Sequence, residues 1–309
     1  MPRDPIPRLI RKVDQKRLHD DLFYLSKHPL PFRKINYTLP GHDKCTLYEA
    51  DDFIQARLES CGYAVEKEAC LVQAYGRDYT KNIHHQYARP RPDSPWQIAY
   101  NLYAKKVGTA HPDEIVVFVS HKDSQSWIAS PGANDNAVGT IGNMEIARIL
   151  ANYPSRRTFW FLFCNEEHSP WTSMTAARNA KIRGDNIVAV FNLDGLGRGT
   201  EADLKAGRKT NVTLFTKPEG ERLADLMIEV NKHYKLGLVQ TKYKRPGPGD
   251  DDGSFVRAGY PAAVANIGSY PYADPNYHLE TDVPETVKIA HVAAATRASL
   301  AGGVRVDME

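Results

Sequence analysis

The sequence predicts an α/β fold with three αβα layers, in which helices cover both faces of a mixed and largely parallel central sheet. Apolar runs at residues 115–119, 158–164 and 187–191 are continuous, as strands buried on both faces require. Segments with helical spacing separate these runs, which is typical of a mostly parallel sheet. Ligands of such sheets gather at the carboxyl ends of the strands, so we expect functional side chains there.

The N-terminal third is predicted to contain two helices and two short strands. A polar lead-in at 1–30 includes a helix, and a second helix covers 47–62, because leucines and other apolar residues recur in both at helical spacing. Strands at 70–75 and 96–103 flank a proline-rich stretch at 87–95, which we expect to be a loop.

The rest of the chain alternates between the two element types. One domain spanning residues 1–309 is the simplest organisation, since the sequence has no internal repeat. The elements expected after residue 114 are strands at 115–119, 158–164, 187–191, 211–216 and 262–267, and helices at 138–153, 173–182, 219–234, 253–258 and 284–300.

The composition gives no indication of nucleic-acid or membrane binding. Of the 309 residues, 42% are hydrophobic and 25% are charged, and the formal net charge is only +3. We expect a cytoplasmic protein, because the charged N-terminus lacks an apolar signal segment and no apolar run could span a membrane. The four cysteines are then expected to be reduced, with a Cys61–Cys70 bridge as the alternative. The basic cluster at 242–245 is interpreted as the solvated flank of a loop, with a specific anion site as the alternative.

Five short segments carry side chains suited to binding metal ions. Their two histidines and three of their carboxylates can hold two divalent ions close together, and one further carboxylate can carry a proton. The segments are His121-Lys122-Asp123, Gly132-Ala133-Asn134-Asp135-Asn136, Asn165-Glu166-Glu167, Asn192-Leu193-Asp194-Gly195 and Tyr277-His278-Leu279-Glu280-Thr281-Asp282.

Taken alone, most of these segments also have a structural interpretation. By itself, His121 with Asp123 two residues later would be interpreted as a structural histidine with a hydrogen-bonded imidazole. Asp135 by itself would be interpreted as a helix N-cap. The adjacent Glu166 and Glu167 point more strongly to function. Neighbouring side chains diverge, so one glutamate can ligate a metal while the other faces a water as general base.

In their order along the chain, the motifs His-x-Asp, Pro-Gly-Ala-Asn-Asp-Asn, Glu-Glu, Asp-Gly and Tyr-His closely resemble those of the M28 zinc aminopeptidases. The resemblance implies the zinc-peptidase, phosphorylase/hydrolase-like fold and a cis Asp135–Asn136 peptide. It also implies two Zn²⁺ ions, and carboxylate-rich sites of this kind accept Mn²⁺ or Co²⁺ as well. By matching position, the expected roles are one ion held by His121 and Asp194, a second held by Glu167 and His278, Asp135 as the bridge and Glu166 as the base.

The chain departs from the usual M28 pattern at three places. Lys122 and Asn165 stand where an aromatic residue and a glycine are common, and three aspartates at 250–252 replace a Ser-Asp-His segment. All five ligand positions are kept, so the departures bear on substrate preference. We expect Asp251 and Asp252 either to bind a substrate ammonium group or to lie in a solvated loop.

The expected reaction is hydrolysis of the N-terminal bond of a peptide substrate with a free N-terminus. Glu166 would take a proton from the attacking water and return it to the leaving amine. Asp123 would fix the tautomer of His121. Tyr277 would either donate a hydrogen bond to the oxyanion or pack beside the metal loop. His168 is interpreted as a bystander, because five ligands already complete the site.

Three other functions remain as alternatives. A glutaminyl-cyclase-like acyltransferase would use the same fold with a single zinc and a deep aromatic pocket. The short segment at 168–173 disfavours it, whereas Trp171 favours it. A catalytically inactive binding protein would usually have lost ligands. A carboxypeptidase would need an arginine cluster, for which Arg198 and Arg257 are isolated candidates. The preferred N-terminal side chain, the peptide length and the oligomeric state are left open.

Overall fold

The computed structural model describes residues 4–309. Most of its strands belong to one nine-stranded sheet, and two short ones form a separate ribbon. In chain order the strands are β1 (Val65–Ala74), β2 (Gly76–Arg77), β3 (Tyr87–Ala88), β4 (Gln97–Lys106), β5 (His111–His121), β6 (Arg157–Cys164), β7 (His168–Ser169), β8 (Asn186–Leu193), β9 (Thr210–Phe215), β10 (Val239–Lys244) and β11 (Ala263–Ile267).

The large sheet has the strand order β10-β9-β11-β8-β5-β6-β4-β1-β7. Its central strands β6, β5, β8 and β11 are parallel to one another. Antiparallel pairs flank them, with β4 and β1 on one side and β9 on the other. The predicted mixed sheet with a parallel centre is therefore confirmed.

Helices cover both faces of this sheet, as predicted. Alternate residues of β5 point into two cores: Val116 and Phe118 pack on the face covered by α2, α4, α7 and α9, and Val117 and Val119 pack under α5 and α8. The helices are α1 (Ile6–Ile10), α2 (Gln15–Ser26), α3 (Thr46–Glu59), α4 (Val138–Leu150), α5 (Thr172–Arg183), α6 (Glu201–Lys205), α7 (Pro218–His233), α8 (Asp250–Arg257) and α9 (Ile289–Met308). The last helix begins five residues later than expected, after a 3₁₀ turn at Pro284–Thr286.

Three local expectations are wrong. Most of the basic cluster, expected to flank a loop, lies in β10, an edge strand paired with β9, and its last residue Arg245 follows the strand and is buried. The strand was not predicted because its side chains are mostly polar and exposed, so it lacks the apolar pattern that marks the buried strands. The proline-rich loop begins with two residues of strand, β3. Asp251 and Asp252 lie in α8 and are fully buried, so they are not part of a solvated loop.

Residues 76–88, which we call the arm, follow β1 and include a two-stranded ribbon separate from the main sheet. The arm consists of β2, a 3₁₀ turn at Ile83–His85 and β3, which pairs with β2. The four cysteines are free thiols, as expected, so the alternative Cys61–Cys70 bridge is not formed. Within residues 4–309, no helix has the length and apolar character needed to cross a bilayer.

Candidate metal centre and active site

Strand ends bring the predicted ligands together. His121 is the last residue of β5, Asp194 directly follows β8, and Glu167 lies just beyond the end of β6. Because β5 lies between β6 and β8 in the parallel part of the sheet, these three ends open on one edge. The other two predicted ligands reach the same edge from a short π-helical turn at Ala133–Ala137, which holds Asp135, and from the loop that holds His278.

The five side chains form two clusters that share Asp135. In one, Nε2 of His121 lies 3.2 Å from Oδ1 of Asp135 and 3.7 Å from Oδ1 of Asp194. In the other, Nε2 of His278 lies 3.2 Å from Oδ2 of Asp135 and 3.3 Å from Oε1 of Glu167. All five residues are buried. Each oxygen of Asp135 therefore faces a different imidazole, as the oxygens of a carboxylate bridging two ions would.

The chemistry of both clusters fits zinc. Each cluster offers one imidazole and two carboxylates, and both kinds of group are zinc ligands. Oδ1 of Asp194 is buried without a hydrogen-bond donor, so a cation would compensate an otherwise costly unpaired oxygen. Nδ1 of His121 lies 3.2 Å from Oδ1 of Asp123, and Nδ1 of His278 donates to the backbone oxygen of His84 at 2.9 Å. Both Nε2 atoms are thereby left to bind a metal.

Asp123 links His121 to the paired glutamates. Its oxygens accept hydrogen bonds from the backbone N–H groups of Glu166 at 3.0 Å and Glu167 at 2.8 Å, and from Nδ1 of His168 at 2.7 Å. Burial alone would raise the pKa of Asp123, but the two histidines hold it well below its usual range. His168 lies outside both clusters, as expected, yet it orients Asp123 and so supports the site.

Glu166 lines the cavity in front of the two clusters. Its Oε2 atom is buried and has no hydrogen-bond partner within the described residues. Burial, together with the negative charges of Asp251 and Asp250, raises the pKa of Glu166 well above its usual value. A raised pKa suits a carboxylate that must accept a proton at neutral pH and then release it.

Comparison with known proteins agrees with this geometry. The family model described as peptidase family M28 matches residues 101–302, well over half of the chain.

The chain belongs to peptidase family M28. This confirms the resemblance drawn from the motifs and the expectation of a peptidase. Leucine aminopeptidase 1 of Fusarium vanettenii is 24% identical over 96% of this chain and 71% of its own length. The chain spans 44% of another fungal relative, a probable zinc metalloprotease of Pyrenophora tritici-repentis.

Solved structures show the same fold. The aminopeptidase of Aneurinibacillus sp. strain AM-1 superposes with a TM-score of 0.72 at 13% identity, covering 98% of this chain and 96% of that one. The glutaminyl cyclase of Bacteroides thetaiotaomicron superposes with a TM-score of 0.69 at 16% identity, covering 93% and 96%. The M28 fold is therefore shared by proteins with different named activities.

Two of the departures from the common M28 pattern contact each other. Nζ of Lys122 lies 2.6 Å from Oδ1 of Asp51 and donates to Oδ1 of Asn165 at 2.9 Å. All three residues are buried, and Asp51 comes from α3, which precedes the part of the chain that matches the family. Lys122 directly follows His121 in the chain and Asn165 directly precedes Glu166, so one network joins the two unusual residues next to the site.

The third departure, the three aspartates at 250–252, also takes part in a network of ion pairs. Arg245 forms ion pairs with Asp250, at 2.7 Å, and with Asp252. Burial raises the pKa of Asp252 to about 7, although Arg245 opposes the shift. Of the three aspartates only Asp250 lines the cavity. Asp251 and Asp252 are therefore too enclosed to bind a substrate ammonium group.

The cavity in front of the clusters has a volume of about 380 Å³ and is rich in aromatic side chains. His85 and Tyr87 of the arm form part of its wall. The ring of Tyr277 stacks on His278 with the centroids 3.7 Å apart. The remaining aromatic and apolar lining residues are Tyr75, His85, Tyr87, Trp171, Leu214, Ile267, Tyr270 and Tyr272.

Two supporting contacts were not predicted. Oδ1 and Oδ2 of Asp282 accept hydrogen bonds from the backbone N–H of Asn134, at 2.9 and 3.1 Å, and Oδ2 accepts another from Asp135 at 3.0 Å. The ring of His84 in the arm lies 2.7 Å from the backbone oxygen of Tyr277. Each contact joins segments more than 100 residues apart, so no local pattern in the sequence reveals it.

The arginines considered for a carboxypeptidase are engaged elsewhere. Arg198 is buried beside Asp274, with their side chains 3.3 Å apart, and Arg257 donates to the backbone oxygen of Pro248. Neither arginine lines the cavity. The arginine cluster required for a carboxypeptidase is thus not formed by these two residues.

Proposed function

We propose that this M28 chain is a metal-dependent exopeptidase that hydrolyses the N-terminal peptide bond of peptides through two zinc ions. The observation that carries the proposal is the position of Asp135, whose two oxygens face two separate imidazole–carboxylate pairs. One ion would be held by His121 and Asp194, and the other by Glu167 and His278. The names of the curated relatives, which include leucine aminopeptidases, support the N-terminal direction of cleavage.

Bound zinc would supply an activated water and would polarise the scissile carbonyl. Glu166 is the proton carrier in this proposal. It accepts the proton of the attacking water on a carboxylate oxygen and delivers it to the leaving amine, a role that the raised pKa of its buried carboxylate favours. Asp123 holds the ring of His121 in the required orientation and fixes the backbone of both glutamates.

Tyr277 is proposed to donate its hydroxyl hydrogen to the developing oxyanion. The residue lines the cavity, and its stacking on His278 keeps the ring beside one of the proposed ions. A well-placed donor of this kind stabilises a transition state by about 3 kcal/mol. A free substrate amine would find the carboxylate of Asp250 in the same cavity.

The proposal is tested by assaying aminoacyl-p-nitroanilides beside their N-acetylated counterparts, before and after chelation. We expect cleavage of the free amines only, and its loss on chelation. Glu166→Gln should lower kcat by about 10²- to 10⁴-fold, because the proton carrier is removed, while zinc content stays unchanged. Glu219→Gln, at an exposed position of α7, is the matched control and should leave kcat unchanged. Equal cleavage of acetylated substrates, or full activity of Glu166→Gln, would contradict the proposal.

Glutaminyl cyclisation is the second candidate, favoured by one observation. Trp171 lines the cavity in a fold shared with the Bacteroides thetaiotaomicron glutaminyl cyclase. Peptides with an N-terminal glutamine distinguish the two reactions. Ammonia release without peptide-bond cleavage, together with one zinc per chain, would favour the cyclase, whereas release of free glutamine favours the exopeptidase.

A further inference from the structure

Gln125 is a fully buried amide that contacts the facing carboxylate oxygens of only one of the two clusters. It lies in the loop after β5, and none of its side chain is exposed. Its Nε2 atom donates to Oδ2 of Asp135 at 2.9 Å and lies 3.0 Å from Oε1 of Glu167. The same nitrogen is 3.2 Å from the backbone oxygen of Asp135.

The two carboxylate oxygens that Gln125 contacts are the ones closest to Nε2 of His278. Oδ2 of Asp135 lies 3.2 Å from that nitrogen, and Oε1 of Glu167 lies 3.3 Å from it. The other cluster uses the opposite oxygen of Asp135 and receives no hydrogen bond from Gln125. The amide therefore hydrogen-bonds the Asp135 oxygen that faces His278 and leaves the oxygen that faces His121 without such a contact.

An amide in this position has a clear physical consequence. Two carboxylates that share a buried site repel each other, and two N–H donors placed between them reduce that repulsion. Each carboxylate oxygen has two lone pairs, so it can accept an N–H and still face an ion. Such contacts orient the groups that ligate a metal and raise its affinity.

We propose that Gln125 is a positioning residue for the ion held by Glu167 and His278, and that it acts on this ion alone. It sets the spacing of the Asp135 and Glu167 oxygens through one N–H to each. The inference rests on the proposed function, because it presupposes two ions. It goes further in assigning to a residue outside the five predicted ligands a role in the affinity of one specific ion.

The test is zinc binding to the whole chain, measured by competition with a chromophoric chelator. Gln125→Met removes both N–H donors at similar volume. We expect one of the two zinc ions to bind about 10- to 100-fold more weakly, while the affinity of the other ion is unchanged. Gln73→Met is the matched control, because Gln73 is also buried but donates to the backbone oxygen of Ser94. It should leave both affinities as in the wild type.

The outcomes separate this inference from the function on which it rests. If the wild type binds fewer than two ions, the proposed function itself fails. If the wild type binds two and Gln125→Met binds both with unchanged affinity, or loses both equally, Gln125 does not position one ion and the inference is overturned. Should Gln125→Met not fold by circular dichroism, Gln125→Asn decides in the same way, because the shorter amide cannot reach both carboxylates.

Discussion

At Asp135, one side chain connects the two halves of the site. The residue alone would be expected to cap a helix, yet the N-cap position of α4 is held by Ala137, and the oxygens of Asp135 face His121 and His278. Asp282 holds the backbone at this point through N–H groups of the loop. An aspartate just before a helix can serve either as an N-cap or as a bridging metal ligand, so the sequence alone could not separate the two roles.

Lys122 and Asp51 offer a residue-level prediction of stability. In Lys122→Met the buried carboxylate of Asp51 loses its ion-pair partner, and we expect the free energy of unfolding to fall by about 3–5 kcal/mol. The double variant Lys122→Met/Asp51→Leu removes the unpaired charge and should recover much of this loss. Unfolding in urea, monitored by circular dichroism, measures both variants.

The same pair predicts a pH dependence. Burial already raises the pKa of Asp51 above its unfolded value, despite Lys122. Removal of the lysine raises it further. A carboxyl group whose pKa is higher in the folded state lowers the free energy of unfolding as the pH rises from its unfolded pKa through its folded pKa. The deficit of Lys122→Met should therefore be larger at neutral pH than in mild acid, and a deficit independent of pH would contradict a buried carboxylate as its cause.

Among the elements, the strand ends were predictable and the edges of the sheet were not. The apolar runs of β5, β6 and β8 are long and buried, so their ends, and with them His121, Glu167 and Asp194, could be placed in order from the sequence. The edge strand β10 carries mainly exposed polar side chains, a pattern that does not predict a strand. Because β10 is not predicted, the sequence also does not predict that Arg245 pairs with the aspartates of α8.

The arm is expected to become more ordered when zinc binds. His278 donates from Nδ1 to the backbone oxygen of His84, so zinc bound at Nε2 and order in the arm should stabilise each other. We expect zinc to slow tryptic cleavage at the exposed Arg77 and Lys81 of the arm. Cleavage after Lys205, an exposed residue of α6, is the internal control and should not respond to zinc. Equal rates at all three sites with and without zinc would argue against this coupling.

For the whole molecule, the five predicted ligands and Glu166 could be proposed in advance because each belongs to a short motif at the end of an element. The groups that orient these ligands could not be proposed from the sequence. Gln125, Asp282 and His84 reach the site through contacts between segments that only the folded chain brings together. The N-terminal third supplies several such contacts although it lies outside the region matched to the M28 family.

The most direct test of the account is a zinc titration of the metal-free chain, with bound zinc and hydrolysis of an aminoacyl-p-nitroanilide measured on the same samples. We expect activity to rise until two ions are bound per chain, because Asp135 is shared by two ligand clusters. Glu166→Gln should bind the same two ions and remain inactive. Full activity with a single ion, or activity that persists in the metal-free chain, would contradict the two-ion exopeptidase.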